Sequence, residues 1–276
     1  MSGRSRVVAL TVALALSHAT CAAADPVVTS FALTFNALDG QHVINGSTTA
    51  RFDFVPLPLA ELTLRHRRDE LHLEGLPPVA FSYTTGSGIG ATTTRLSIAN
   101  ATYRRGIRGG WWLGAGVTLY NQHTTYASQS GTIYTRFGTN GRPSSIYPIA
   151  GSEEQFSRVS GARFELGRGW RIGSTTLEAS AALNPVLHAV QWTYVPTPAQ
   201  FPCTPPACSP NPTFADPERG SQLDLGVRVA RPVRSRGLFL YGLRYLHYSA
   251  HYEAEPGLLA DRNLGIAPLV GYQIRL

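Results

Sequence analysis

The chain has 276 residues, of which 43% are hydrophobic, 10% aromatic and only 15% charged. A soluble domain carries roughly 25% charged residues, and a length of this order allows one or two domains. The 27 Gly and 19 Pro are too many for a helical bundle and too aperiodic for collagen, and the aromatic share excludes a solvated disordered chain. The net charge is +7 and every one of the 24 basic residues is Arg. Chemistry that needs a lysine is thereby excluded: P-loop phosphate binding, Schiff bases, or a Ser-x-x-Lys nucleophile.

Residues 1–24 read as a secretory signal peptide. Arg4 and Arg6 form a positive head, Val7 to Leu16 an apolar stretch, and Ala22-Ala23-Ala24 an Ala-x-Ala cleavage site before Asp25. Ten apolar residues are too few to span a bilayer as a helix, which takes about 20. A lipoprotein attached through Cys21 is disfavoured, because His18 stands where a lipobox has Leu. Without Arg4 and Arg6 the 24 Arg fall to 22, which against 17 acidic residues leaves +5 on residues 25–276.

Downstream, period-two alternation dominates. Ten strands are predicted, at about 27–38, 48–66, 69–86, 92–105, 110–126, 153–168, 173–195, 218–233, 237–253 and 262–276. In the fifth, Trp111, Leu113, Ala115, Val117 and Leu119 alternate with Trp112, Gly114, Gly116 and Thr118; in the eighth, Leu223, Leu225, Val227 and Val229 alternate with Asp224, Gly226 and Arg228. Pro56, Pro58, Pro77 and Pro78 interrupt the pattern between 48 and 86, and proline is a poor ladder member, so eight or twelve strands also fit.

Short Arg-rich connections (66–69, 104–110, 167–173, 232–237) alternate with polar or irregular ones (39–47, 86–91, 127–152, 196–217, 254–261). Segments of about ten alternating residues joined this way are the signature of a transmembrane antiparallel up-and-down β-barrel, with short periplasmic turns and long outer loops. A secreted β-sandwich is the competing all-β reading. It does not require aromatic residues at both strand ends, whereas here Trp111 and Trp170 sit beside short turns and Tyr120, Tyr126, Trp192, Tyr194, Tyr248 and Tyr252 near long loops. Within loop 196–217, Cys203 and Cys208 are an even pair in a Pro-rich stretch and read as a small disulfide.

The last strand carries a resemblance. Gly271-Tyr272-Gln273-Ile274-Arg275-Leu276 resembles the C-terminal insertion signal of Gram-negative outer-membrane proteins, with Gly271, Ile274 and Leu276 matching; Leu269 replaces the usual polar residue and Leu276 the usual aromatic. The resemblance implies an outer-membrane β-barrel over residues 25–276, inserted by the barrel-assembly machinery. A monomer in contact with outer-membrane lipid and lipopolysaccharide is expected.

Apolar faces turned outward place Arg51, Asp53, Arg65, Arg163, Glu165, Glu178, Asp224, Arg228 and Arg275 inside. Mixed charges in a barrel this small either fill the lumen and fix its register or line a narrow path; a wide porin needs 16 or more strands. The Arg residues form no basic stripe interleaved with stacking aromatics, so nucleic acid is not an expected partner. Loop residues Arg95, Arg136, Arg142 and Arg262 are solvated or meet lipopolysaccharide phosphates. The chain has neither a His-Glu-x-x-His nor a Gly-x-Ser-x-Gly motif, and no metal or cofactor is expected.

One local stretch suggests chemistry. His247-Tyr248-Ser249 resembles the His-x-Ser motif of outer-membrane lipid A deacylases of the PagL type, although Ala250 replaces the Asn that follows there. The resemblance implies Ser249 as nucleophile, His247 as base and Asp261 or Glu253 as orienting acid. Residues i and i+2 of a strand share a face about 7 Å apart. The same residues also read as interfacial polar groups. The expectation is a barrel with a structural, surface-interaction or narrow-channel role through its long loops, with a lipid hydrolase as the alternative.

Overall fold

A computed structural model describes residues 27–44, 48–83, 92–127, 133–137, 143–199, 211–234, 237–253 and 259–276. The alternating segments form β1 (Val28–Ile44), β2 (Thr48–His66), β3 (Asp69–Tyr83), β4 (Thr92–Gly106), β5 (Trp111–Tyr126), β6 (Ile133–Phe137), β7 (Pro143–Pro148), β8 (Glu153–Ile172), β9 (Thr175–Tyr194), β10 (Thr213–Arg234), β11 (Gly237–Tyr252) and β12 (Leu259–Arg275). Ten of them close into a barrel in the order β1-β2-β3-β4-β5-β8-β9-β10-β11-β12, and β6 and β7 form a separate hairpin. Each barrel strand pairs antiparallel with its chain neighbours, and β12 closes on β1 from Ser30↔Arg275 to Val43↔Arg262. The expected up-and-down ten-strand barrel is the observed fold.

Both free strand ends, Val28 and Arg275, lie at the end that carries the short turns. One of these turns, 107–110, includes a single 3₁₀ turn at Arg108–Gly110. At the other end three stretches depart most from the sequence expectation. β1 runs on to Ile44 through a bulge at Leu38/Gly40, so the connection expected at 39–47 shrinks to 45–47. β10 begins at Thr213 rather than 218, since 213–217 pair with Val190–Tyr194 of β9. The loop 127–152 holds the β6–β7 hairpin. In each case ladder bonds to a neighbour override Gly, Asp or Pro turn signals in the local sequence.

The proline-rich part of the wall is paired on one side only. β2 keeps its ladder with β1 through Phe35↔Pro58 and Ala37↔Pro56. Its ladder with β3 runs from His66↔Asp69 to Ala60↔Gly75 and, among the described residues, no further. β3 stays on β4 across a register shift between Leu76 and Val79, the position of Pro77 and Pro78.

Period two sorts the side chains. Phe31, Leu33 and Phe35 on β1, Leu113 and Val117 on β5, Phe239, Tyr241 and Leu243 on β11, and Ile266 and Val270 on β12 are exposed on the outside. Ser30, Thr34, Asn36, Thr102, Thr118 and Asn184, from the intervening positions, are buried inside. An apolar exterior around a polar interior inverts a soluble protein and matches hydrocarbon outside. The barrel strands of 15–22 residues exceed the roughly 9–11 that cross a bilayer, so the wall continues beyond the apolar band. Leu243→Arg in the band is expected to cost about 2–4 kcal/mol, read as a lower urea midpoint in lipid vesicles, whereas Arg at the outward position Ile172, 65% exposed beside the short turn, leaves the midpoint within about 1 kcal/mol.

Candidate functional site

The inner face is organised in storeys. At the short-turn end a cavity of about 440 Å³ is lined by Arg65, Arg67, Arg68, Arg104, Arg228 and Arg275, with Glu70 and Glu178 between them. Above it the lumen narrows to about 80 Å³ among Glu61, Glu74, Glu165, Asp224, Arg163 and Arg244. The narrowing is made by ion pairs. Arg65 bonds Glu70, Arg104 reaches Glu70 at 3.1 Å and Glu165 at 2.7 Å, and Arg163 reaches Glu165 at 2.6 Å and Asp224 at 3.1 Å. Arg244 Nε donates to Asp224 at 2.9 Å, and its terminal nitrogens donate to both oxygens of Glu74 at 3.1 and 3.0 Å. Arg228 joins Glu61 at 2.7 Å and Glu178 at 3.3 Å.

Two of these links cross the barrel. Glu74 is on β3 and Arg244 on β11; Glu61 is on β2 and Arg228 on β10. Each pair of strands stands four places apart around a ring of ten, so the links run nearly across the lumen. Arg163, Glu165 and Asp224 are buried. Charges taken this far from water persist only when paired and hydrogen-bonded. Here the planar guanidinium forks meet two carboxylates at a time, the geometry Arg is suited to. Neutral groups complete the layer: Thr102 donates to Glu165 at 3.2 Å, Asn100 to Glu74 at 2.8 Å, and Asn184 to Thr118 at 3.0 Å and the Ala162 carbonyl at 2.9 Å.

Trp112 lies beside this layer. Its neighbour Trp111 is exposed on the outside, so the Trp111-Trp112 pair splits between the two faces. The Arg104 guanidinium stacks over Trp112, 4.5 Å from the ring centroid. A Cβ on Gly167 would stand 2.1 Å from that indole, so only glycine leaves the ring its place. Outside, Arg168 lies 5.2 Å over Trp111 and 5.0 Å over Trp170, the two tryptophans expected beside short turns.

The next storey is apolar. Leu57, Leu59, Leu76 and Leu96 form a buried cluster with Val79, Ile98 and Tyr120 against it. Val159, Leu187 and Ala189 form a second, packed against Tyr120 and Tyr248. Tyr120 belongs to both, and its ring stacks on Tyr248 across the lumen at 6.5 Å between centroids. Hydrocarbon therefore lies over the ion pairs from one wall to the other.

At the long-loop end, Tyr147, Ile149, Val195 and Phe214 make a small core of their own. It joins the segment after β7 to both ends of the β9–β10 connection. Ala150 N–H donates to the Pro196 carbonyl and Val195 N–H to the Pro212 carbonyl, and Asn211 and Thr197 hydrogen-bond reciprocally at 2.8 and 2.9 Å. Ile133 and Ile146 on the hairpin are left 59% and 56% exposed.

Of the nine residues expected inside, Arg163, Glu165, Glu178, Asp224 and Arg228 meet in the ion-pair layer, and Arg65 and Arg275 stand at its mouth. The side chains of Arg51 and Asp53 lie outside the described residues, as do Cys203 and Cys208. Sequence reading missed Glu61, Glu70, Glu74 and Arg104; it turned Arg244 inward, because Arg is costly against lipid, but gave it no partner. The signal was present: Glu61 and Arg65, and Glu70 and Glu74, keep an even spacing with inward partners despite the nearby prolines. Arg104 falls within a strand end that reads as a turn.

His247 and Ser249 take the outward parity of Tyr241 and Leu243 on β11, while Arg244 and Tyr248 point inward. No hydrogen bond joins His247 to Ser249 among the described residues, and His247 Nε2 is buried without a partner. Asp261 stands opposite Ala250 in the β11–β12 register, and its side chain lies outside the described residues. In the terminal hexapeptide, Gly271 passes so close to β1 that a Cβ would lie 2.5 Å from the Leu33 carbonyl oxygen; Leu276 is 71% exposed.

No protein-family model matches the sequence, and no curated protein matches it. Among solved structures the chain is similar to the outer membrane protease OmpT from Escherichia coli, with 9% identity over 92% of this chain and 99% of that one and a TM-score of 0.59. It also aligns with the β domain of the Bordetella autotransporter BrkA, at 12% identity over 91% and 100% of the chains and a TM-score of 0.47. The translocator domain of the autotransporter NalP from Neisseria meningitidis aligns at 9% identity over 99% and 97%, with a TM-score of 0.46. At such identities the likeness to OmpT speaks for the fold alone: a ten-strand transmembrane β-barrel of the outer-membrane architecture.

Proposed function

We propose that this protein is an outer-membrane barrel with a closed lumen, whose role is a surface interaction made by the platform at its long-loop end. The observation that carries this reading is the pair of links across the lumen, Arg228 to Glu61 and Arg244 to Glu74. They fill the space that conduction needs, and the Tyr120–Tyr248 stack covers them. Short turns and both chain ends then face the periplasm and the hairpin faces the medium, the arrangement usual for such barrels.

The platform fits an interaction role. The buried cluster of Tyr147, Ile149, Val195 and Phe214 fixes the end of the hairpin against the start of β10 and the end of β9, so less conformational freedom is lost there when a partner binds. Ile133 and Ile146 offer apolar anchors. A photo-crosslinking residue placed at Ile146 in intact cells is expected to give a discrete adduct with a surface macromolecule. The same residue at Val227 on the barrel wall gives lipid adducts only. No macromolecular adduct at Ile146, in a barrel that still resists SDS until heated, contradicts the reading.

A further inference from the structure

We propose that the wall is laterally split between β2 and β3, and that the split is a docking groove for an acyl chain bearing a hydroxyl or amide donor, belonging to a lipid of the outer half of the membrane. The ladder between these strands ends at Ala60↔Gly75. Beyond it both strands continue, each held only by its other neighbour. In a bilayer an open sheet edge is costly, because no water satisfies its backbone groups.

The prolines explain why the edge stays open. Pro58 pairs with Phe35 and Pro56 with Ala37 on β1. Proline has no N–H, so in an antiparallel ladder it fits only where the two strands exchange no hydrogen bonds. The nitrogens and carbonyls of Pro56 and Pro58 therefore both point toward β3. The β2 edge presents acceptors without donors, and β3 cannot pair with it in the ordinary way. On β3, Pro77 and Pro78 lie inside the register shift, so two more donors are missing where the strands diverge.

The position and lining of the split identify the occupant. It starts halfway up the wall. Phe35, directly opposite Pro58, is 48% exposed, so the split lies within the apolar band and faces lipid rather than water. Behind it stand Leu57, Leu59 and Leu76 of the apolar storey, 6%, 5% and 3% exposed, so an entering chain must part them; Leu59 also borders the ion-pair cavity. A plain hydrocarbon chain satisfies that floor but leaves the Pro56 and Pro58 carbonyls bare. A chain with a hydroxyl or amide near its head meets both. The inference rests on the barrel being membrane-embedded with its short turns toward the periplasm, and not on the loop platform.

The test uses the purified full chain in phospholipid vesicles containing a lipid with a diazirine-bearing 3-hydroxyacyl chain, with a matched chain lacking the hydroxyl as comparison. Irradiation is followed by peptide mapping. The expected result is label on inward-facing Leu57, Leu59 or Leu76, several-fold stronger with the hydroxylated probe, together with label on outward-facing Phe239 from bulk lipid. The double variant Pro56→Val/Pro58→Val, which restores two donors, is expected to lose the inward label and keep that on Phe239. Label at Phe239 with none at the leucines overturns the groove, and equal inward label from both probes overturns the donor requirement. Absence of label at Phe239 as well contradicts membrane insertion and the groove with it. The wild-type map decides the matter even if the variant does not fold.

Discussion

Replacing Arg244 with Ala is expected to destabilise the barrel by about 3–5 kcal/mol, the range for breaking a buried ion pair from one side. Arg244 is the only guanidinium shown to join Glu74 to Asp224 among the described residues. Its loss leaves both carboxylates without their principal counter-charge, although Asp224 keeps Arg163 and Glu74 keeps Asn100. The cost is that of stranded charge more than of lost attraction, so it is reversible by removing the charge. Arg244→Met combined with Glu74→Gln and Asp224→Asn is expected to recover most of the deficit. Urea unfolding in lipid vesicles, followed by tryptophan fluorescence, measures both changes. An Arg244→Ala barrel as stable as the parent contradicts the role assigned to the links across the lumen.

Opening the lumen is expected to need damage to two storeys. Arg228→Ala removes the links to Glu61 and Glu178, yet the leucine and tyrosine clusters still lie above the gap. Tyr120→Ala with Tyr248→Ala removes the stack between those clusters and leaves the ion pairs below. Either change alone is expected to leave a planar bilayer silent. The triple variant is expected to show ohmic steps, since both the charge and the hydrocarbon barriers are then broken. Conduction by Arg228→Ala alone would mean that the apolar storey does not seal.

These expectations lean unevenly on what the sequence reveals. The alternation of Leu264 to Leu276, and of Trp111 to Leu119, is strict enough to read the strands and their outward faces directly. It fails where a neighbour decides. Asp39 and Gly40 resemble a turn, yet β1 passes through them because β2 and β12 both pair there. Parity also says that Arg228 and Glu178 point inward, and their direct cross-strand register makes them partners. It cannot say that Arg244 meets Glu74, 170 residues away, because that depends on the stagger with which the barrel closes. Arg244 sits on a strand apolar on both faces, and Glu61 and Glu74 lie beside prolines that break the visual rhythm, Pro77 and Pro78 falling inside a register shift. The small core of Tyr147, Ile149, Val195 and Phe214 joins two loops distant in sequence, with no periodic signal to announce it.

The closed lumen is the centre of the account, and the most direct measurement is the conductance of the wild-type protein in a planar lipid bilayer. The purified barrel is first shown to be intact by its resistance to SDS before heating. Storeys of ion pairs and hydrocarbon leaving about 80 Å³ at the narrowing give no steady ionic current at either polarity. Reproducible ohmic steps from the unmodified protein would contradict the closed lumen, and the function would then belong to the pore rather than to the loops.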